Sequence, residues 1–205
     1  MSTTQKILAA LLVLTALVGG TVFMYHGLQS ARMQPAVATI WPTPKPLPEF
    51  SLLDHSGNEF TTDNLRGQWS LVFFGFTHCP DICPATLQQL AIARSRLKES
   101  GKATPNIILV SVDPERDTPD VIGDYVSHFG SEVIGVTGDI SELTKLTSAS
   151  GIFFAKSELP DGSYSVDHSA AILLINDDGA IYASFSAPHN VDSFVNDVPI
   201  LMGSR

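Results

Sequence analysis

The chain has 205 residues, 44 % of them apolar, with 21 acidic against 12 basic side chains and a net charge of −9. Lys6 and Arg32 are the basic residues before position 33, so the remainder carries 10 basic against 21 acidic residues, a net −11. That balance argues against nucleic acid and against anionic lipid headgroups as partners, while the length suffices for one domain with a sizeable core.

In chain order, residues 7–25 are almost wholly apolar, with no charge between Lys6 and Arg32. A bilayer core is spanned by about 20 such residues, so this run predicts one N-terminal transmembrane helix. A cleaved signal peptide has a shorter apolar core with a small-x-small site close behind it. Here Gly19-Gly20 is followed by Thr21-Val22-Phe23-Met24-Tyr25, which fits a retained anchor better. Lys6 and the terminal amine precede the run, which places residues 1–6 in the cytoplasm. The rest is then expected beyond the inner membrane, in the periplasm, where a cysteine pair needs a reductant or a metal to stay open. Residues 26–48 include Pro35, Pro42, Pro44, Pro46 and Pro48 and predict an extended, semi-rigid spacer. Residues 49–205 form the domain.

Within it, Phe50–Asp54 and Glu59-Phe60 flank Ser56-Gly57-Asn58 as a hairpin. Trp69–Phe76 reads as a buried strand, and residues 85–99 place Leu87, Leu90, Ala91, Ala93 and Leu97 on one helical face. A second buried strand covers Asn106–Val112. Asp117-Thr118-Pro119 opens a helix running to about Phe129. Val133–Val136 is a short strand, and a helix from Ser141 ends before Gly151. Residues 152–156 and 163–166 pair around Pro160-Asp161-Gly162, and 170–175 with 180–185 around 176–179. Val191–Leu201 is a terminal helix interrupted by Pro199. Strands alternating with helices, then a hairpin, indicate an α/β sandwich with a mixed sheet.

The two cysteines, Cys79 and Cys83, stand between the first long strand and the helix after it. Backbone N–H groups and the positive helix end at such a junction favour the thiolate, the form that attacks disulfides or binds metal. The pair is therefore reactive, metal-binding or both; a structural disulfide would close a very small loop and remove little unfolded-chain entropy. Placed on the first helical turn, a spacing of four puts both sulfurs on one face. It also favours a chelating pair over the distant resolving cysteine of a peroxidase-like enzyme.

A cysteine pair ending the first long strand resembles the thioredoxin fold, although thioredoxins have two intervening residues and this chain has three. The stretch Phe74-Gly75-Phe76-Thr77-His78-Cys79-Pro80-Asp81-Ile82-Cys83-Pro84 resembles the Sco (SenC/PrrC) family of copper proteins. So do Ser111-Val112-Asp113-Pro114-Glu115-Arg116-Asp117-Thr118 and Val166-Asp167-His168-Ser169. The resemblance implies a thioredoxin-like copper-binding domain whose ligands fall on Cys79, Cys83 and His168. It also implies an inner-membrane anchor and a part in assembling the binuclear Cu-A centre of cytochrome c oxidase. Two thiolates and an imidazole suit that metal: sulfur favours Cu(I), and imidazole accepts either Cu(I) or Cu(II). His168 is expected from the loop before strand 170–175, where Ser169-Ala170 replaces the cis-proline of thioredoxins.

Asp167 has two readings, a carboxylate tuning the site or a solvent-facing residue. His78 either modulates Cys79 or is an exposed helix-entry histidine. His26 borders the membrane, and His55, His128 and His189 read as turn or surface residues. Asp113, Glu115, Arg116 and Asp117 read as a salt-bridged turn or as a docking loop at the site edge. Met24 and Met33 are isolated and form no copper relay.

Two function classes follow. The first is a metallochaperone that takes copper from a donor and passes it to oxidase subunit II or a similar copper enzyme. The second is a thiol–disulfide oxidoreductase, fed by a thiol reductant, that keeps the target's cysteines reduced, with Cys79 attacking and Cys83 resolving. A copper or redox sensor would use the same residues.

Overall fold

The computed structural model describes residues 2–32 and 34–203. They divide into two units between Gln34 and Pro35. The first is a single helix, α1 (Thr3–Arg32), whose described side chains are all exposed. Among the described residues, no helix is both long and apolar enough to cross a membrane. The transmembrane helix expected over 7–25 is thus not found in that form. Met33 and the side chain of His26 lie outside the described residues.

In the second unit, the proline stretch is not a free spacer. Residues Thr39–Pro46 form β1, paired antiparallel with β10 (Ala180–Phe185), with a register break between Ile40 and Lys45. An edge strand has one row of N–H groups with nothing to bond, so Pro42, Pro44 and Pro46 lose little there. Upstream, Asp197 is 1 % exposed, and its carboxylate accepts the N–H groups of Ala36, Val37 and Ala38 at 2.8, 2.8 and 2.9 Å.

The hairpin of β2 (Ser51–Asp54) and β3 (Glu59–Thr61) forms as its turn residues predict. The strands β4 (Ser70–Gly75), β5 (Asn106–Ser111) and β6 (Val133–Thr137) run parallel, as the intervening helices α2 (Ile82–Glu99) and α3 (Pro119–Ser127) require. Strand β9 (Ile172–Ile175) lies antiparallel between β4 and β10. Among the described residues, eight strands make one mixed sheet, ordered β1-β10-β9-β4-β5-β6-β2-β3. The central strands β4 and β9 are buried along their whole length. Helix α2 packs against the terminal helix α5 (Val191–Gly203), which runs through Pro199 instead of breaking there. Helix α3 covers β6, while α4 (Ile140–Ser150) ends on Gly151 in the left-handed region. The remaining strands, β7 (Phe154–Glu158) and β8 (Tyr164–His168), form a separate two-stranded hairpin.

Candidate metal centre

Strand β4 ends at Gly75, and the chain turns through 76–81 before α2 begins at Ile82. The helix therefore opens three residues earlier than its apolar periodicity indicates. Pro84 sits in its first turn, where no N–H is needed. Cys83 is on that turn but Cys79 is in the loop before it, so the two cysteines do not share a helical face as expected. The sulfurs still meet, because the loop curls back with the Cys79 N–H bonded to the Phe76 carbonyl at 3.3 Å. Asp81 occupies the cap position without a side-chain cap. Cys79 Sγ instead accepts the first-turn N–H of Cys83 at 3.4 Å.

His168 is the last residue of β8, paired with Phe154, and not part of the following loop. Its ring lies edge-on to Phe73 and Phe76, with centroids 5.9 and 5.8 Å away. His168 Nδ1 is 3.1 Å from the Ser169 carbonyl, which can only accept, so Nδ1 carries the proton. The lone pair of Nε2 then faces Cys83 Sγ at 3.4 Å. The ligand atoms of Cys79, Cys83 and His168 all lie within 4.8 Å of one another.

The two thiols are free but not equivalent. Cys83 is fully buried, while Cys79 is 9 % exposed. The Cys79 thiol is pulled down to about 4, first by the hydrogen bond from Cys83 and against its partial desolvation, with the N–H groups of Asp81 and Cys83 adding to the effect. The same hydrogen bond and burial push Cys83 up. The pair thus shares one proton, held on the inner sulfur.

Asp167 and His78 are not drawn into this cluster. Alternation along β8 turns Asp167 outward, where it accepts a hydrogen bond from Ser157. His78 is half exposed; its Nδ1 lies 3.0 Å from Thr77 Oγ1 and 3.8 Å from Asp117 Oδ1. Nor is His189 a surface residue: it is half-buried, with Nε2 2.7 Å from the Ala170 carbonyl. His55 Nδ1 accepts the Gly135 N–H, and His128 contacts the Asp124 carbonyl. The charged segment 113–117 is a salt-bridged turn, with both Asp113 and Asp117 fully buried. Gly75 shapes the site without carrying a donor atom. A Cβ there would lie 2.9 Å from Cys83 Sγ. Its signal is a glycine inside an otherwise bulky buried strand.

The fold and the site define a thioredoxin-like α/β protein with a Cys–Cys–His cluster beside the end of its central strand. The sequence pattern of the SCO1/SenC family matches residues 42–203, and the chain belongs to that family. It is 32 % identical over 177 residues to a proposed copper-binding protein of Stutzerimonas stutzeri, covering 86 % of this chain and 87 % of that protein. The mitochondrial SCO1 homolog 1 of Arabidopsis thaliana is 38 % identical over 149 residues, or 73 % of this chain; the chain spans only 45 % of that longer protein. The copper-bound crystal structure of Arabidopsis thaliana ScoI superposes with a TM-score of 0.74 at 35 % identity, covering 78 % of this chain and 99 % of that one.

Proposed function

We propose that the chain is a copper metallochaperone, anchored in the inner membrane with its domain in the periplasm, that loads the Cu-A site of cytochrome c oxidase subunit II. One observation carries the copper reading: two thiol sulfurs and an imidazole nitrogen converge within 4.8 Å of one another. Cys79, Cys83 and His168 are the ligands of the cargo ion. Thiolates hold Cu(I), and the imidazole serves either oxidation state. Three protein donors leave a position through which a recipient's thiolate enters, so the ion moves by ligand exchange.

The anchor rests on the uncharged sequence between Lys6 and Arg32. The hydroxyls of Thr15 and Thr21 support it, donating to the carbonyls of Leu12 and Val18 at 2.9 Å each, which leaves them no unmet need for water.

A second reading is favoured by the inequality of the thiols. Cys79 is the outer and more acidic sulfur and Cys83 the inner one, as a dithiol reductase requires of its attacking and resolving cysteines. Such a protein would keep the recipient's cysteines reduced. His168→Ala separates the readings, with copper titrated into the reduced protein and followed by thiolate charge-transfer absorption. The metallochaperone loses most of its copper affinity and its oxidase-assembly activity; a reductase keeps reducing its partner. Unchanged copper affinity in this variant overturns the ligand assignment.

A further inference from the structure

Among the described residues, the hairpin that delivers His168 pairs only with itself, in a two-stranded sheet apart from the main one. A lone hairpin is marginally stable in water, so side chains must fix it to the domain. The loop carrying Cys79 likewise needs fixing, since it belongs neither to β4 nor to α2. Both sets of fixing contacts converge on one short segment, Ser111–Asp117, which begins at the last residue of the central strand β5.

We infer that this segment is a clasp, and that its two buried carboxylates position the two halves of the Cys–Cys–His cluster separately. Asp117 holds the cysteine half. It is fully buried. Its Oδ2 accepts the Thr77 N–H at 2.9 Å and the Ser111 hydroxyl at 2.6 Å, and its Oδ1 accepts the Thr77 hydroxyl at 2.6 Å. Thr77 lies two residues before Cys79. The Asp117 carbonyl is itself tied to β6 by the Thr137 hydroxyl at 2.7 Å.

Asp113 holds the histidine half. It is also fully buried. Its Oδ1 accepts the Tyr164 hydroxyl at 2.9 Å, and its Oδ2 pairs with Arg116 Nε. Arg116 Nη1 donates to the Tyr164 carbonyl at 3.1 Å, and its guanidinium lies 3.9 Å from the centre of the Tyr164 ring. Tyr164 opens β8 and His168 closes it; residues 164, 166 and 168 share one face, with Val166 buried between them. Fixing Tyr164 therefore fixes the placement of the strand that ends in His168. Arg116 also lies over the Phe76 ring at 5.8 Å, and Phe76 stands edge-on to His168.

Each half rests on hydrogen bonds to a buried charged acceptor, the stronger kind. Thr77, Asp117, Asp113, Arg116 and Tyr164 are on this account positioning residues. The inference rests on the reading of the cluster as one ligand set, but its test has readouts in the metal-free protein.

Two conservative variants of the full chain test it. Tyr164→Phe keeps the ring and removes the hydroxyl from Asp113. Thr77→Val keeps the backbone N–H and removes the hydroxyl from Asp117. In the reduced, metal-free protein, Tyr164→Phe is expected to speed amide hydrogen exchange across 154–168 about tenfold while leaving Cys79 alkylation and the dithiol potential unchanged. Thr77→Val is expected to shift alkylation and potential and leave hairpin exchange unchanged, with Thr77→Ser restoring both. On adding Cu(II), Tyr164→Phe keeps the thiolate absorption and weakens the imidazole nitrogen coupling in the electron paramagnetic resonance spectrum. If each variant perturbs both halves alike, or neither perturbs its own half, the clasp is overturned. Should copper ligation itself fail through the His168→Ala test, the exchange and alkylation arms still decide.

Discussion

Gly75→Ala tests whether the end of β4 is shaped around a sulfur. The glycine is not in the left-handed region, so alanine meets no backbone strain. Its methyl would lie 2.9 Å from Cys83 Sγ, 3.0 Å from Phe73 Cε1 and 3.2 Å from Leu109 Cδ1. Unstrained contacts begin near 3.5 Å, so these approaches fall short by roughly 0.3–0.6 Å. All three neighbours are fully buried and have nowhere to retreat. Overpacking of this kind costs about 1–3 kcal/mol, offset by about 0.4–1 kcal/mol from the stiffer unfolded chain. At the midpoints of these ranges the net loss is about 1.3 kcal/mol, which lowers Tm by about 3–5 °C for a domain of this size. The closest neighbour is a proposed ligand, and the Phe73 ring also flanks His168. Copper affinity is therefore expected to fall at least about tenfold, the equivalent of ~1.4 kcal/mol. Thermal unfolding of the reduced protein and copper titration measure the two effects. Loss of stability with full copper affinity would break the link between Gly75 and Cys83; no change in either would refute the packing argument.

Two further predictions concern acidity and attachment. With Cys79 depressed to about 4, its thiolate persists through neutral pH. Iodoacetamide should then modify it at a level rate from pH 8 to pH 6, whereas an ordinary thiol slows about tenfold per unit below its pKa. Cys83→Ala removes the hydrogen bond and should move the inflection upward; a tenfold decline per unit in the unaltered protein contradicts the assignment. Asp197→Ala strips three N–H groups of their buried acceptor and should cost about 2–4 kcal/mol. Limited proteolysis would then cut within 35–46, with Asp197→Asn intermediate; unchanged resistance of the alanine variant would show that β1 is held by its strand pairing alone.

Much of the fold was legible because its signals are local. Apolar runs at Leu71–Phe74 and Ile107–Val110 mark strands buried on both faces, and Thr118-Pro119 marks a helix start. The proline stretch misled because prolines exclude a central strand but not an edge strand, and edge position is a property of the whole sheet. The boundary at Cys83 misled because apolar periodicity is silent about a first turn made of Ile82-Cys83-Pro84. Asp113 and Asp117 read as a charged turn, which they are. What they hold lies 40 to 51 residues away in the chain, at Thr77 and Tyr164.

The sequence by itself determined the chemistry: two soft thiols at a strand-to-helix junction, an imidazole far downstream, and an acidic domain behind an apolar segment. Residue type fixes donor atoms and charge, and neither depends on fold. Only the tertiary structure decided that these donors converge, that Nε2 and not Nδ1 of His168 faces the sulfurs, and that Cys79 owes its acidity first to Cys83. Convergence requires β8, β4 and α2 to meet at one end of the sheet. Tautomer and acidity are set by the Ser169 carbonyl, the Cys83 hydrogen bond and burial. Those are contacts in space, and spacing along the chain does not encode them.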